Sequence, residues 1–258
     1  MESPPILESP APGAAPPRMS LLARLLNVLA IPGRVFEEVI PSRHRVLNWL
    51  VPVLLAAAVG AAGAVLVAAQ PHFQKTVRER QERMIEKQVE AGKMTRAEAD
   101  RTLAWLGRLA EPGALKLLGA FGALLGALTR VCWWGLVLWL LGRWLLRAPV
   151  QLPKAIEIAG LASMILVVGS VAALALVTQP GENGLEWIAP DDPDARSARA
   201  RTLFWVSSLF EIWFLVVISN GLARLAQTPF FRAAFCVLGY WTLAEVLLTV
   251  SGLRQLGF

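Results

Sequence analysis

The sequence predicts an all-α fold: a polytopic transmembrane helical bundle of about five spans, with short interfacial helices and an extramembrane helical hairpin. Composition is the first observation behind this. Of 258 residues, 55% are hydrophobic and 17% charged, whereas soluble domains run near 45–50% apolar and about 25% charged. Distribution is the second: charge gathers in a few segments and is almost absent between them. Length is the third. The charge-poor stretches reach about 20 residues, enough to cross about 30 Å of hydrocarbon at 1.5 Å per residue.

Residues 1–19 form a Pro/Ala-rich tail that lacks the apolar run of a signal peptide. Such a segment buries too little to offset its ordering entropy, so disorder is expected. Residues 20–47 are expected to be interfacial amphipathic helices. Ser20 can cap a helix over Leu21 to Leu29. Its leucines 21, 22, 25, 26 and 29 share a face destined for the acyl region, with Arg24 and Asn27 off that face. Pro32 breaks the chain and starts a second helix carrying Val35, Phe36, Val39 and Ile40, and Pro41 ends it.

The membrane domain is placed at 48–252. Its first span, 49–69, is uncharged, begins with the interfacial aromatic Trp49, and carries a smooth strip of Ala56, Gly60 and Ala64. Residues 71–112 then form a hydrophilic insert with nine Lys/Arg and seven Asp/Glu. It reads as a helical hairpin: Gly92 stops the first arm, and Thr95-Arg96-Ala97-Glu98 is a capping box that starts the second. Leu103, Leu106, Leu109 and Trp105 give the second arm an apolar side. The apolar stretch 114–146 is interrupted by Arg130, and a tilted span over 118–141 is expected, with its tail along the interface. Gly122 and Gly126 make a Gly-x-x-x-Gly pair suited to helix packing. The remaining spans are 155–177, 202–222 and 231–250, and the stretch 179–200 reads as an acidic loop.

Basic residues mark the cytoplasmic side of short loops. Five arginines lie in the N-terminal part up to Leu47, three basic residues and no acid lie in 143–154, and two lie in 224–232, while 179–200 holds five acids against two arginines. These agree on a cytoplasmic N-terminus and an outside C-terminus. The mixed-charge hairpin, with its nine basic residues, lands outside against the rule. A re-entrant pair of half-helices around Arg130 would change the parity and move the hairpin inside.

The net charge of +6 belongs mostly to residues flanking apolar helices, where it sets topology and meets anionic lipid, so nucleic acid is not an expected partner. No phosphate-binding loop, zinc-protease helix or nucleophile elbow occurs. Cys132 and Cys236 lie singly within apolar segments, and His44 and His72 lack a nucleophile or metal partner nearby in sequence. No enzymatic activity, metal or cofactor is therefore expected. Four ionisable residues interrupt apolar helices: Arg130, Glu157, Glu211 and Glu245. Such groups usually face the bundle interior and pair. A buried cluster in which Arg130 pairs with Glu211 or Glu157 is expected, serving as an ion or proton path or as a structural ion pair; the alternative is side chains that snorkel to the headgroups. Glu157, three residues past Lys154, can instead be interfacial.

The fourth span carries Ser208-Leu209-Phe210-Glu211-Ile212-Trp213 and then Gly221-Leu222-Ala223. This resembles the Yip family of five-span membrane proteins, whose bacterial members show Asp-Leu-Phe-x-Ile-Trp followed by Gly-Leu. Phe210, Ile212, Trp213 and Gly221 match, and Ser208 stands where the family has Asp. Pro32 and Phe36 resemble the family's Pro-x-x-x-Phe segment before the first span. The resemblance implies five membrane helices and a cytoplasmic N-terminus. Eukaryotic members bind Rab-type GTPases, a role that does not transfer by default to a chain of bacterial composition. The expectation is a non-enzymatic adaptor or organiser in a bacterial inner membrane, in contact with the bilayer and with membrane or cytoplasmic proteins. The alternative is a small transporter or channel using Arg130, Glu157 and Glu211.

Overall fold

The structure is a computed structural model that describes residues 19–109, 111–181, 184–187 and 193–251. The expected disorder of the N-terminal tail and the last residue of the expected membrane domain, Gly252, lie outside the described residues. Two short helices come first, α1 (Leu21–Ala30) and α2 (Pro32–Val39). The first membrane helix is α3 (Leu47–Ala68). The hydrophilic insert is the helical hairpin α4 (Pro71–Glu90) and α5 (Arg96–Leu109). α6 (Pro112–Leu140) continues through a π turn to Leu145, α7 (Leu152–Ala162) and α8 (Met164–Val177) form one bent span, and α9 (Pro193–Ala226) and α10 (Phe230–Val250) complete the bundle.

Five helices are long and apolar enough to cross a membrane: Leu47–Ala68, Gly113–Leu145, Leu152–Val177, Ala200–Ala226 and Phe230–Val250. Alternation of five spans puts α1, α2 and the turns after Leu145 and Ala226 on one face, called here the near face. The α4–α5 hairpin and the β-hairpin lie beyond the far ends.

Several boundaries move. The second span is one continuous helix through Arg130 with no re-entrant break, and it exceeds the expected 118–141 at both ends. The helix winds on past Leu140 through the π turn to Leu145, and Arg147 at φ 53° then reverses the chain. The third span bends at Ser163, whose hydroxyl donates to the Gly160 carbonyl at 2.6 Å instead of leaving the backbone ladder undisturbed. The loop expected over 179–200 contains a two-stranded antiparallel hairpin, β1 (Thr178–Gly181) and β2 (Gly184–Trp187). Strands of four residues are too short to show an alternating pattern.

The capping signals act as read. Ser20 Oγ accepts from the Ala23 N–H at 3.2 Å. Gly92 sits at φ 66°, and the Lys93 and Gly92 amides bond the Gln88 and Val89 carbonyls in a Schellman closure. Glu98 accepts from the Thr95 amide (2.9 Å) and hydroxyl (2.8 Å), while Thr95 Oγ1 accepts from the Glu98 amide. Both Thr95 bonds favour the ionised carboxylate and hold the Glu98 pKa below its ordinary value. In the hairpin, Ile85 and Ala99 are buried between the arms, whereas Trp105 is exposed instead of joining an apolar side.

Close packing in the membrane depends on missing side chains. A Cβ on Gly60 would stand 2.8 Å from Ala123 Cβ, and one on Gly119 would stand 2.5 Å from Ala64 Cβ. The Ala56-Gly60-Ala64 strip therefore receives α6 at backbone distance. Gly122 and Gly126, expected to pack, have nothing within 4 Å of their Cβ positions and are exposed. The α6 face that meets α3 runs through Gly119, to one side of the predicted pair.

The core centres on α7, α8 and α9 with α1 and α2 packed into it. Val28, Val35, Phe36, Val39, Ile158 and Ile218 are fully buried. Leu22 and Leu26 of α1 face outward, but Leu25 and Val28 turn toward the protein. Arg24, expected off the buried face, is 1% exposed. The polar partners described next account for that reversal.

Candidate functional site

Two polar arrangements lie within this apolar scaffold. The first joins α1 and α2 to the third span. Glu157 of α7 is wholly buried. Its Oε1 accepts from the Arg45 amide at 2.6 Å and from Asn48 Nδ2 at 3.0 Å. Its Oε2 pairs with Lys154 Nζ at 2.6 Å, one turn back on the same helix, and His44 Nδ1 stands 3.5 Å away. Lys154 also donates to the Val39 carbonyl that ends α2, at 2.9 Å. From Asn48 the chain of contacts continues outward. Asn48 Oδ1 accepts from Arg24 Nη1 at 3.4 Å, Arg24 Nη2 binds Glu38 Oε1 at 2.6 Å, and both Glu38 oxygens accept the Met19 amide at 3.1 Å.

Each buried charge in this network has a counter-charge or hydrogen-bond donors, the condition under which burial of ions is tolerated. The network ties together α1, the end of α2, the start of α3 and α7. Glu37 on the outer side of α2 adds a more exposed bond to Arg224 Nη1 of α9 at 2.6 Å. Apolar contact reinforces the same joint: Phe36 and Ile158 both press on Gly221.

The second arrangement is a cleft within the membrane-spanning region. α6 packs on α3 and α7, but beyond the bend at Ser163 the chain of α8 leans away with α9. The gap is a cavity of about 340 Å³ with Arg130, Trp134, Ser170, Ser207 and Glu211 among its walls. A second cavity of about 230 Å³ adjoins it, sharing Arg130, Leu166 and Ser170 and continuing past Gly60, Ala123 and Gly126. Trp241 Nε1 of α10 donates to Glu211 Oε1 at 3.2 Å. Trp134 meets Phe214 and Tyr240 edge to face, with centroids at 5.3 and 5.9 Å. Arg130 makes no ion pair among the described residues.

The expected single cluster of four ionisable residues thus divides. Arg130 and Glu211 share the cleft without pairing, Glu157 belongs to the near-face network, and Glu245 is half-buried on α10 one turn beyond Trp241. The pairing of Arg130 with Glu211 or Glu157 is not made. Glu157 is saturated by nearer donors, and Glu211 faces its indole partner. Among the family-motif residues, Pro32 opens α2, and Phe210 packs against Gly169 and stacks on Trp213 at 6.0 Å. Ser208 is half-buried on α9. Sequence alone does not single out Arg24, Glu38 and Asn48 as a site. The available signal is Arg24 together with Glu38 on two helices joined by a single residue, a spacing that lets opposite charges meet. No group of three or more potential metal ligands occurs among the described residues.

A five-span helical bundle with an amphipathic helix pair stapled to its near face defines an integral multi-pass membrane protein. Residues 26–251 match the Yip1 domain, and the chain belongs to that family. No curated protein and no solved structure matches it.

Proposed function

We propose that this chain is a non-enzymatic adaptor or organiser of membrane partners or lipids, set in a bacterial inner membrane with its N-terminus cytoplasmic and its C-terminus outside. The observation that carries the reading is the buried charge network from Met19 to Lys154. It holds α1 and α2 as a fixed platform on the bundle, where a helix pair merely resting on lipid would need no buried ions. That platform keeps Leu22, Leu26 and Ile31 exposed. The α4–α5 hairpin, with its mixed charges on a solvated surface, supplies a second contact element on the opposite side. The basic residues Arg43, Arg147 and Arg224 support a cytoplasmic near face.

The test is a crosslinking pull-down from native membranes with the tag on the N-terminal tail. A stoichiometric protein partner, lost when Leu22 and Leu26 are changed to Ser, supports the reading. A clean preparation without partner counts against it. The cleft holding Arg130 and Glu211 favours a second reading, a small transporter or channel. It requires a water path, so cysteines placed on either side of Glu211 must react with a membrane-impermeant thiol reagent.

A further inference from the structure

Arg130 is an exposed cation inside a membrane span with no ion pair among the described residues, and it lines a polar cleft. A guanidinium in that position calls for an anion. The cleft's other charge is Glu211, which Trp241 engages through only one of its oxygens. The registers of the helices place the two residues' backbones at different levels. Gly135 meets Ile156, Gly169 meets Phe210 and Gly221 meets Ile158. Carried along the helices, these contacts set Arg130 level with Leu161 and Ile218. That is about seven residues, or about 10 Å at 1.5 Å per residue, from the level of Glu211. Side chains lean toward the N-terminus of their helix, so Arg130 leans from the near face toward Ser170. Ser170 Oγ donates to the Leu166 carbonyl at 2.8 Å, which leaves its oxygen free to accept. The cleft therefore offers a cation with the Ser170 hydroxyl beside it and the Glu211 carboxylate further along, with no net charge.

The adjoining cavity decides what kind of molecule fits. It continues from Arg130 and Ser170 into a groove of small and apolar residues, Ala56, Gly60, Ala123, Gly126 and Ala127. Among the described residues nothing lies within 4 Å of the Gly126 Cβ position, which keeps the groove open at that point. A polar cleft running into an apolar groove suits an amphipathic ligand, and the cleft is bounded by membrane-spanning helices. The geometry points to a binding site for a zwitterionic phospholipid with a primary-ammonium head. Its phosphate lies on Arg130 beside Ser170, its ammonium on Glu211, and an acyl chain runs past Gly126 and Ala127. The site rests on the lipid half of the adaptor–organiser reading and stands or falls apart from any protein partner.

The test uses the full chain in nanodiscs of equal phosphatidylethanolamine and phosphatidylglycerol, released for native mass spectrometry. The wild type is expected to retain one phosphatidylethanolamine in preference to phosphatidylglycerol. Arg130→Gln should cut that retention at least about tenfold, a loss of about 1.4 kcal/mol in binding, and Arg130→Lys should keep most of it. Glu211→Gln should shift the preference toward phosphatidylglycerol, because the ammonium partner is lost and the phosphate partner stays. Thermal melting shows that each variant is folded, and the absence of an ion pair at Arg130 among the described residues means that its replacement should leave the fold intact. Equal retention of both lipids, or unchanged retention in Arg130→Gln, overturns the site. So does displacement of the lipid by soluble phosphoethanolamine, which would make the ligand a free headgroup. Partner capture by the tagged chain is read separately, so a negative lipid result leaves the protein-adaptor reading standing.

Discussion

The ring of Phe36 lies against Gly221 so closely that a Cβ on that glycine would stand 3.3 Å from Phe36 Cε2 and closer still to Ile158 Cγ2. One residue is on the short helix α2, the other in the near half of α9. The contact is the seam between the platform and the bundle, and both residues belong to the segments through which this chain resembles its family.

Gly221→Ala should therefore act as an overpacking substitution. Forced insertions into packed cores cost about 1–3 kcal/mol. A lowered melting temperature in detergent is expected, with recovery when Ile158→Ala makes room. A variant as stable as wild type would show that the seam yields without cost.

The two members of the buried pair should be energetically coupled. Glu157→Ala leaves the Lys154 ammonium without its counter-charge and the Arg45 amide without its acceptor, and such losses cost about 3–5 kcal/mol. Lys154→Met together with Glu157→Leu should cost less than the sum of its single changes, as read by a double-mutant cycle on chemical denaturation. Additive costs would mean the two side chains are not coupled.

Legibility from sequence followed the range of the signal. The spans, the helix caps and the Schellman stop at Gly92 are set by residues close together in the chain, and hydropathy or capping chemistry exposes them directly. Register between helices is not local. Nothing near Gly119 distinguishes it from Gly122, yet only the former meets α3. Arg24 reads only as a residue off the leucine face because its partners, Glu38 and Asn48, sit 14 and 24 positions away. The four intramembrane charges stand out against their apolar neighbours, but their grouping depends on how helices turn about their axes, which composition does not report.

Packing within the chain separates the glycines of α6. Gly119→Val should destabilise the protein by forcing α6 away from Ala64, whereas Gly122→Val should leave the melting temperature unchanged within error. If Gly122→Val instead disrupts folding, α6 is rotated relative to the arrangement described.

The hairpin carries a pH dependence of defined sign. Hydrogen bonds from Thr95 hold the Glu98 pKa below its unfolded value. The stabilisation is therefore complete above the unfolded pKa and is lost as pH falls through the lower, folded pKa. NMR titration of Glu98 in the full chain should show the depressed midpoint, and Thr95→Ala, which keeps the residue 95 amide and removes only the hydroxyl, should raise it part of the way toward the ordinary glutamate range. An unchanged midpoint in that variant would falsify the part assigned to the Thr95 hydroxyl.

The near-face network also dictates an order of assembly. The Arg45 amide and Glu157 are separated by 112 residues, and α1 and α2 leave the ribosome long before the helix that anchors them. Arg24 and Glu38 can pair as soon as both are made. Until α7 is inserted with Lys154 and Glu157 at the near face, however, the Arg45 amide and Asn48 lack their carboxylate and the Val39 carbonyl lacks its ammonium. Docking of the helix pair thus reports that the third span has entered in the correct sense. A nascent chain stalled before residue 152 should expose α1 and α2 to protease, and one extended past the third span should protect them, so that a late step in building this protein returns to its beginning.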